Sequence, residues 1–208
     1  MGKLFLSFKV FIVLIFLIIA GCCTPGAVEH LAVTLHPQET SMWCWAASGQ
    51  MVMEYLGTNV DQCVQANNRF GRNDCCNIDL CPAPTEPSTH ACVKGGWAEY
   101  AKYGFTFQNT TNAALSWTDL REELSSSSNC GNTPFTFTWR WPGVNAGGHT
   151  MVAIGYLSIL EVNFVEIMDP WSPCVGDVRF ITYDYYVASP GHHTHWDDYY
   201  KIRPAGGN

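Results

Sequence analysis

The chain has 208 residues and a formal charge of −7, with 14% charged, 47% hydrophobic and 13% aromatic side chains. So many aromatics and so few charges argue against disorder and for a packed core, in a length that suits one domain, at most of two lobes around a cleft. The acidic balance excludes nucleic acid as a natural partner.

The first predicted element is an apolar run from Val10 to Ala20 behind Lys3 and Lys9. It is about half as long as a bilayer-spanning helix must be, so it reads as a secretory signal rather than a spanning anchor. The run ends Ile19-Ala20-Gly21-Cys22, which resembles the bacterial lipoprotein box. That resemblance implies cleavage before Cys22 and its acylation; several acyl chains at ~0.8 kcal/mol per buried methylene give permanent attachment to a membrane. Residues 1–21 are then the expected signal peptide and 22–33 a lipidated tether, with the protein in the bacterial cell envelope, facing periplasm or exterior. A plain cleaved signal and free secretion is the alternative. Loss of the signal removes two lysines and no acid, leaving 187 residues with a formal charge of −9.

Cys44 follows between two tryptophans, in Trp43-Cys44-Trp45, with Gln38 six residues upstream. Cys44, Ala47, Ser48, Met51, Val52 and Tyr55 recur at three and four residues, which predicts a helix opened by Cys44 and ended by Gly57. A cysteine is nucleophilic only as thiolate, and the first turn of a helix favours that anion through its unsatisfied N–H groups and dipole. Residues 63–92 carry five cysteines among Asn67, Asn68, Gly71, Pro82, Pro84 and Pro87 and read as a loop-rich segment stapled by bridges. A short helix is predicted over 97–103, and Ser116-Trp117-Thr118-Asp119 has the spacing of a capping box ahead of Leu120 and Leu124.

After a flexible link at 125–129 the period changes to two. Phe135, Phe137, Trp139 and Trp141 fall on one face, Thr136, Thr138 and Arg140 on the other. Further strands are predicted over 151–157, 162–168 and 178–183, with a short one at 199–202. Helices early and strands late give an α+β fold with a helical half at 34–129 and a β half at 130–205. In Gly147-Gly148-His149 the imidazole stands at the head of an apolar strand, a rigid element able to hold it against Cys44. Asp169-Pro170-Trp171 closes the next strand. Its carboxylate is expected to accept the imidazole Nδ1–H, fixing tautomer and ring angle, with Trp171 shielding that bond from water.

Gln38, Cys44, His149 and Asp169 in this order, together with Trp-Cys-Trp-Ala-Ala and the Gly-Gly-His strand, resemble the papain superfamily of cysteine peptidases over roughly residues 34–205. The nearest likeness is to its compact bacterial branch, with the staphopains and plant-pathogen effector proteases. The resemblance implies a papain-like fold in which Gln38 donates to the oxyanion, Cys44 attacks, His149 transfers the proton and Asp169 orients the ring. Papain has asparagine at the orienting position; the aspartate here adds a charge that makes His149 more basic. An aspartate before proline also occurs in the leader-peptidase domains of bacteriocin exporters. The implied substrate is a protein or peptide laid along the cleft.

Singly, these residues have bland readings: a small buried cysteine, a loop histidine, a turn aspartate. Their conjunction carries the chemistry. Two other functions stay open, a thiol amidohydrolase or acyl transferase acting on cell-wall peptides or glutamine side chains, and a disulfide-rich envelope protein that only binds. No cofactor and no metal is expected, and a monomer is. The competing zinc reading takes Cys75, Cys76, Cys81, Cys92 and His90, but no CxxC pair occurs. His192-His193-Thr194-His195 reads as a polar turn. Apart from Cys22 and Cys44 there remain Cys23, Cys63, Cys75, Cys76, Cys81, Cys92, Cys130 and Cys174, whose pairing the sequence leaves open, with Cys23 expected to be unpaired. Too few residues separate Cys22 from Gln38 for a long inhibitory propeptide, so restraint is expected from a separate protein inhibitor or the redox state of Cys44.

Overall fold

The computed structural model describes residues 22–81, 85, 87, 89–143 and 146–206. The expected signal peptide, 1–21, lies outside the described residues. In chain order the elements are β1 (Val28–His30), α1 (Cys44–Tyr55), α2 (Gln62–Phe70), β2 (Phe105–Asn109), α3 (Trp117–Leu124), β3 (Phe135–Arg140), β4 (Gly148–Ile159), β5 (Val162–Asp169), β6 (Asp177–Thr182), α4 (Tyr183–Val187), β7 (Ala188–Ser189) and β8 (His193–Pro204). The strands form one antiparallel sheet in the order β2-β8-β3-β4-β5-β6, with β1 on the second half of β4 and β7 on β8. The α+β class expected from the sequence is the class observed.

α1 opens at Cys44, and Gly57 follows its end at φ +90°, a conformation that glycine takes without strain. Every residue of α1 from Trp45 to Met53 is buried, so the helix is enclosed on all sides rather than along one stripe. Met51, Val52 and Met53 pack in the main core with Val152, Ile154 and Tyr156 of β4 and Val165 and Ile167 of β5. A second, smaller core gathers Trp43, Trp45 and Ala66 around Cys75 and Cys92. α3 begins as predicted, with the Ser116 hydroxyl accepting from the Asp119 N–H at 3.1 Å.

Several expectations need correction. The stretch 22–33 is not a loose tether: Cys23 is bonded to Cys130, and β1 pairs with β4 with Val28 opposite Leu157. Cys23 is therefore not unpaired. The other bridges are Cys63–Cys76, Cys75–Cys92 and Cys81–Cys174. They consume all four cysteines of the zinc reading, and the one acidic and cysteine cluster among the described residues, Asp74, Cys75 and Cys92, has both its sulfurs in a disulfide.

The segment 63–92 also holds most of α2, hidden by its polar composition. Gln65 is buried there, its amide donating to the carbonyls of Ala46 and Val60 at 2.8 and 2.9 Å. The helix expected at 97–103 is a single 3₁₀ turn, Tyr100–Tyr103. The polar turn expected at 192–195 instead opens the twelve-residue strand β8. Its histidines are buried: His193 stacks on Trp139 at 3.8 Å, and His195 Nε2 meets Asp198 at 2.9 Å.

Candidate active site

Cys44 is the first residue of α1, and no side chain caps that end of the helix. Its neighbours hold it from behind. The buried Trp43 donates its indole N–H to the Cys92 carbonyl at 2.7 Å, and Trp45 does the same to Lys94 at 3.1 Å. Facing the helix start is the start of β4. A Cβ on Gly148 would lie 2.2 Å from the Trp139 carbonyl oxygen, so only glycine lets β4 press this closely on β3 beside His149. The Ser48 hydroxyl donates to the Thr150 carbonyl at 3.1 Å and ties helix to strand next to both residues.

Asp169 ends β5, the neighbouring strand. Its Oδ1 accepts from His149 Nε2 at 2.6 Å and from the Trp171 backbone N–H at 2.9 Å. Its Oδ2 accepts from Arg179 Nη2 at 2.7 Å, while Arg179 Nη1 reaches Asp177 at 2.9 Å. The nitrogen on the carboxylate is thus Nε2 and not Nδ1. Nδ1 is the ring nitrogen left free of the carboxylate, and His149 and the Thr150 backbone are among the groups that stabilise the Cys44 thiolate. Trp171 contributes its backbone N–H; its side chain is 52% exposed. The indole lying parallel to the His149 ring is Trp141, 11° from coplanar at 6.4 Å.

The three ionisable groups shift one another. Burial alone pushes the Cys44 thiol up, but the hydrogen bond and charge of His149 and the N–H groups of Thr150 and Trp45 outweigh it and bring it below its ordinary value. For His149, burial works against the charged ring, yet Asp169 and Cys44 raise it to about 9. Asp169 is pushed up by burial and, more strongly, down by His149, the Trp171 N–H and Arg179, to about 2. The lowered thiol, the raised imidazole and the lowered carboxyl all shift in favour of thiolate, imidazolium and carboxylate in series. Such an ion pair can attack a carbonyl carbon and then protonate a leaving amine.

Gln38 is 1% exposed and borders the same cleft as Cys44. One hydrogen of its amide is given to the Thr40 carbonyl at 2.7 Å, which leaves the second for a ligand. Its backbone is spliced to the loop after Asp169: the Gln38 N–H donates to the Pro170 carbonyl and its carbonyl accepts from Cys174, both at 3.0 Å. The cleft has a volume of about 770 Å³, with Met42, Trp97, Trp141, Trp171, Tyr185 and Trp196 among its walls. The fixed charges on those walls, Asp169 and Arg179, are paired with each other.

A family model described as the Peptidase_C39 like family matches residues 30–188. The chain belongs to this family. It is a cysteine peptidase, and Cys44, His149 and Asp169 all fall within the matched stretch. No curated protein matches the peptidase in sequence. Among solved structures it is similar to the digestive procathepsin L 3 of Tenebrio molitor larval midgut, at 11% identity over 85% of this chain and 70% of that one, with a TM-score of 0.48. A second is from work on antibody cross-reactivity between the mite allergens Blo t 1 and Der p 1, at 14% identity over 88% and 73%, with a TM-score of 0.46.

In the peptidase the four residues singled out in the sequence meet at one cleft. Sequence reasoning does not single out Arg179, inside the strand expected over 178–183, or Trp141, on the aromatic face of the strand that begins at Phe135. An arginine two residues beyond Asp177 gives no signal of its own, because its partner Asp169 is brought beside it only by the β5–β6 pairing. The backbone donors of Trp45 and Thr150 carry no sequence signature at all.

Proposed function

We propose that this member of the family is a lipid-anchored endopeptidase of the bacterial envelope, with residues 34–205 as its catalytic domain and Cys44, His149, Asp169 and Gln38 as its machinery. Export followed by acylation of Cys22 supplies the anchor. Four disulfides fit folding outside a reducing compartment, and no helix among the described residues is long and apolar enough to cross a membrane. The observation that carries the reading is a single imidazole shared between a thiol at a helix N-terminus and a buried carboxylate.

In this mechanism the Cys44 thiolate attacks the scissile carbonyl carbon and the π electrons move to oxygen. The oxyanion accepts from the Cys44 backbone N–H and from the second hydrogen of the Gln38 amide. His149 delivers its proton to the leaving nitrogen, the C–N bond breaks, and a thioester remains on Cys44. His149 then takes a proton from water, the hydroxide attacks the thioester, and the thiolate leaves. Asp169 holds the ring through Nε2 in both halves. The aromatic walls favour apolar side chains beside the scissile bond, since no unpaired fixed charge lines the cleft.

An epoxide-type thiol-peptidase inhibitor tests this directly. Selective modification of Cys44, abolished in His149→Ala, supports the reading; no labelling of the folded protein under mild reduction overturns it. Gln38→Ala should slow turnover about a hundredfold, on the order of 3 kcal/mol of lost oxyanion stabilisation, with unchanged melting. A Gln38→Ala enzyme as fast as wild type refutes that role. Labelling without hydrolysis of any denatured protein, but with release from cell-wall peptides or glutamine side chains, redirects the same residues to another amide.

A further inference from the structure

We propose that the outer face of the β1–β4–β5–β6 end of the sheet, with the β4–β5 hairpin tip, docks on the bilayer that holds the N-terminus. The inference rests on the lipid anchor at Cys22. Six of the eleven exposed large hydrophobic residues among those described lie on these strands: Val28, Ile159, Leu160 and Val162 at the hairpin end, Phe180 in mid-sheet opposite Glu166, and Val178 opposite Met168. Leu160, at the tip, is 91% exposed and Val28 is 61% exposed. Pairing puts them on one face: Val28 stands opposite Leu157, Leu157 opposite Phe164, and Ile159 opposite Val162. An apolar face this continuous on the surface of a folded domain calls for a partner.

The tip is also poorly built for folding alone. Leu160 and Glu161 form the two-residue turn at φ +49° and +68°, a conformation for which Asn-Gly is the natural choice and a leucine is strained. A sequence that places an exposed leucine there sacrifices turn stability for what the side chain contacts.

The chain arrives from its anchor at this same face. The Ala27 carbonyl accepts from the Ser158 N–H at 2.9 Å, one residue before Val28 pairs. Cys23 is bridged to Cys130, and Arg121 donates to the carbonyls of Pro25 and Gly26 at 2.8 and 2.7 Å, so the exit of the tether is fixed to the fold. Gly155 permits the approach, since a Cβ there would lie 2.4 Å from the Glu29 carbonyl. The six residues from Cys22 to Val28 span at most about 20 Å, which keeps the apolar face within reach of an acylated Cys22.

Charge selects the lipid. No lysine or arginine stands on β1 or on the hairpin 157–164, the arginine of β6, Arg179, is paired with Asp169 and Asp177, and His30 Nδ1 lies 2.8 Å from Glu166. Attraction is therefore apolar and needs no anionic headgroup, and phosphatidylcholine suffices. His149 and Ile159 lie at opposite ends of β4, roughly 30 Å apart at about 3.3 Å per residue, so the hairpin tip stands far from His149.

The test uses the full acylated chain on phosphatidylcholine vesicles, followed by amide hydrogen exchange. Exchange in peptides covering 157–164 should slow at least threefold relative to the same mature chain carrying Cys22→Ser in vesicle-free buffer. The variant Ile159→Thr/Leu160→Asn/Glu161→Gly/Val162→Thr rebuilds a stable turn. It should keep or raise the melting temperature, keep activity on a soluble peptide, and lose the slowing. Acylated protein on vesicles whose hairpin exchanges as fast as in buffer overturns the proposal. So does protection that appears without lipid as a concentration-dependent dimer. Intact mass separates the two readings: a chain extracted without acyl groups on Cys22 removes the anchor and the docking with it, while leaving the peptidase untouched.

Discussion

Asp169→Asn changes one charge and little else, and so isolates what the carboxylate does for His149. The asparagine oxygen still accepts from Nε2, in place of the carboxylate oxygen now 2.6 Å away. Both side chains are about nine-tenths buried, so solvent screens little of the loss. Unit charges about 4 Å apart attract by ~4 kcal/mol at an effective dielectric constant of ~20. The imidazolium N–H still bonds the neutral asparagine oxygen and keeps about half of that attraction, which leaves ~2 kcal/mol lost, or about one and a half pH units. His149 stands at about 9 in the wild type, and the alkaline limb of kcat/KM should follow it down to ~7.5 in the variant. The assay is hydrolysis of a fluorogenic peptide with apolar side chains, measured across pH. A variant that stays active with its alkaline limb still near 9 refutes the claim that Asp169 sets the basicity of the ring.

Arg179→Gln should move the alkaline limb the opposite way, upward, because it removes a cation that shares the carboxylate with the imidazolium. The guanidinium is 38% exposed, so the shift should be the smaller of the two; an unchanged limb would make the arginine a structural group only. Replacing Cys81 and Cys174 together by serine frees a bridge across 93 residues, worth about 4.6 kcal/mol of loop entropy, and loosens the loop after Asp169 to which Gln38 is hydrogen-bonded. A fall in both the denaturant midpoint and kcat is expected, and full activity in the double variant would show that the clamp does not position the site. The charged pair also gives stability a pH window. His149 is raised from 6.5, so its contribution is complete below about 6.5 and is lost as pH rises through about 9. Asp169 is lowered from 3.8, so its contribution is complete above about 3.8 and is lost as pH falls through about 2. The gap in denaturant midpoint between wild type and His149→Ala should be widest between about pH 4 and 6.5 and should close above 9.

Local patterns were legible where one period ran unbroken. The start of the Cys44 helix, the Ser116 cap and the strands expected from 135, over 151–157 and over 162–168 follow from local spacing, although burial encloses α1 and the middle of β4 on every side. Sequence spacing shows only the last residues of β8, because His193, His195 and Asp198 look like surface groups. They are buried because each finds a partner supplied by other parts of the chain, Trp139, the Tyr185 and Tyr186 carbonyls and the Tyr186 hydroxyl. α2 was lost for the same reason at Gln65. The four residues of the site could be read because their chemistry is confined to few residue types in one order. The arginine behind Asp169, the indole beside His149 and the nitrogen that faces the carboxylate depend on strand register, which no local spacing encodes.

The most direct test of the central claim is the intact mass of the enzyme quenched in acid during turnover of a peptide or activated ester. The account predicts the acyl half of the substrate on the fragment that contains Cys44, with both adduct and turnover abolished in Cys44→Ala and in His149→Ala. Turnover that survives Cys44→Ala, or an adduct on any other side chain, would contradict it.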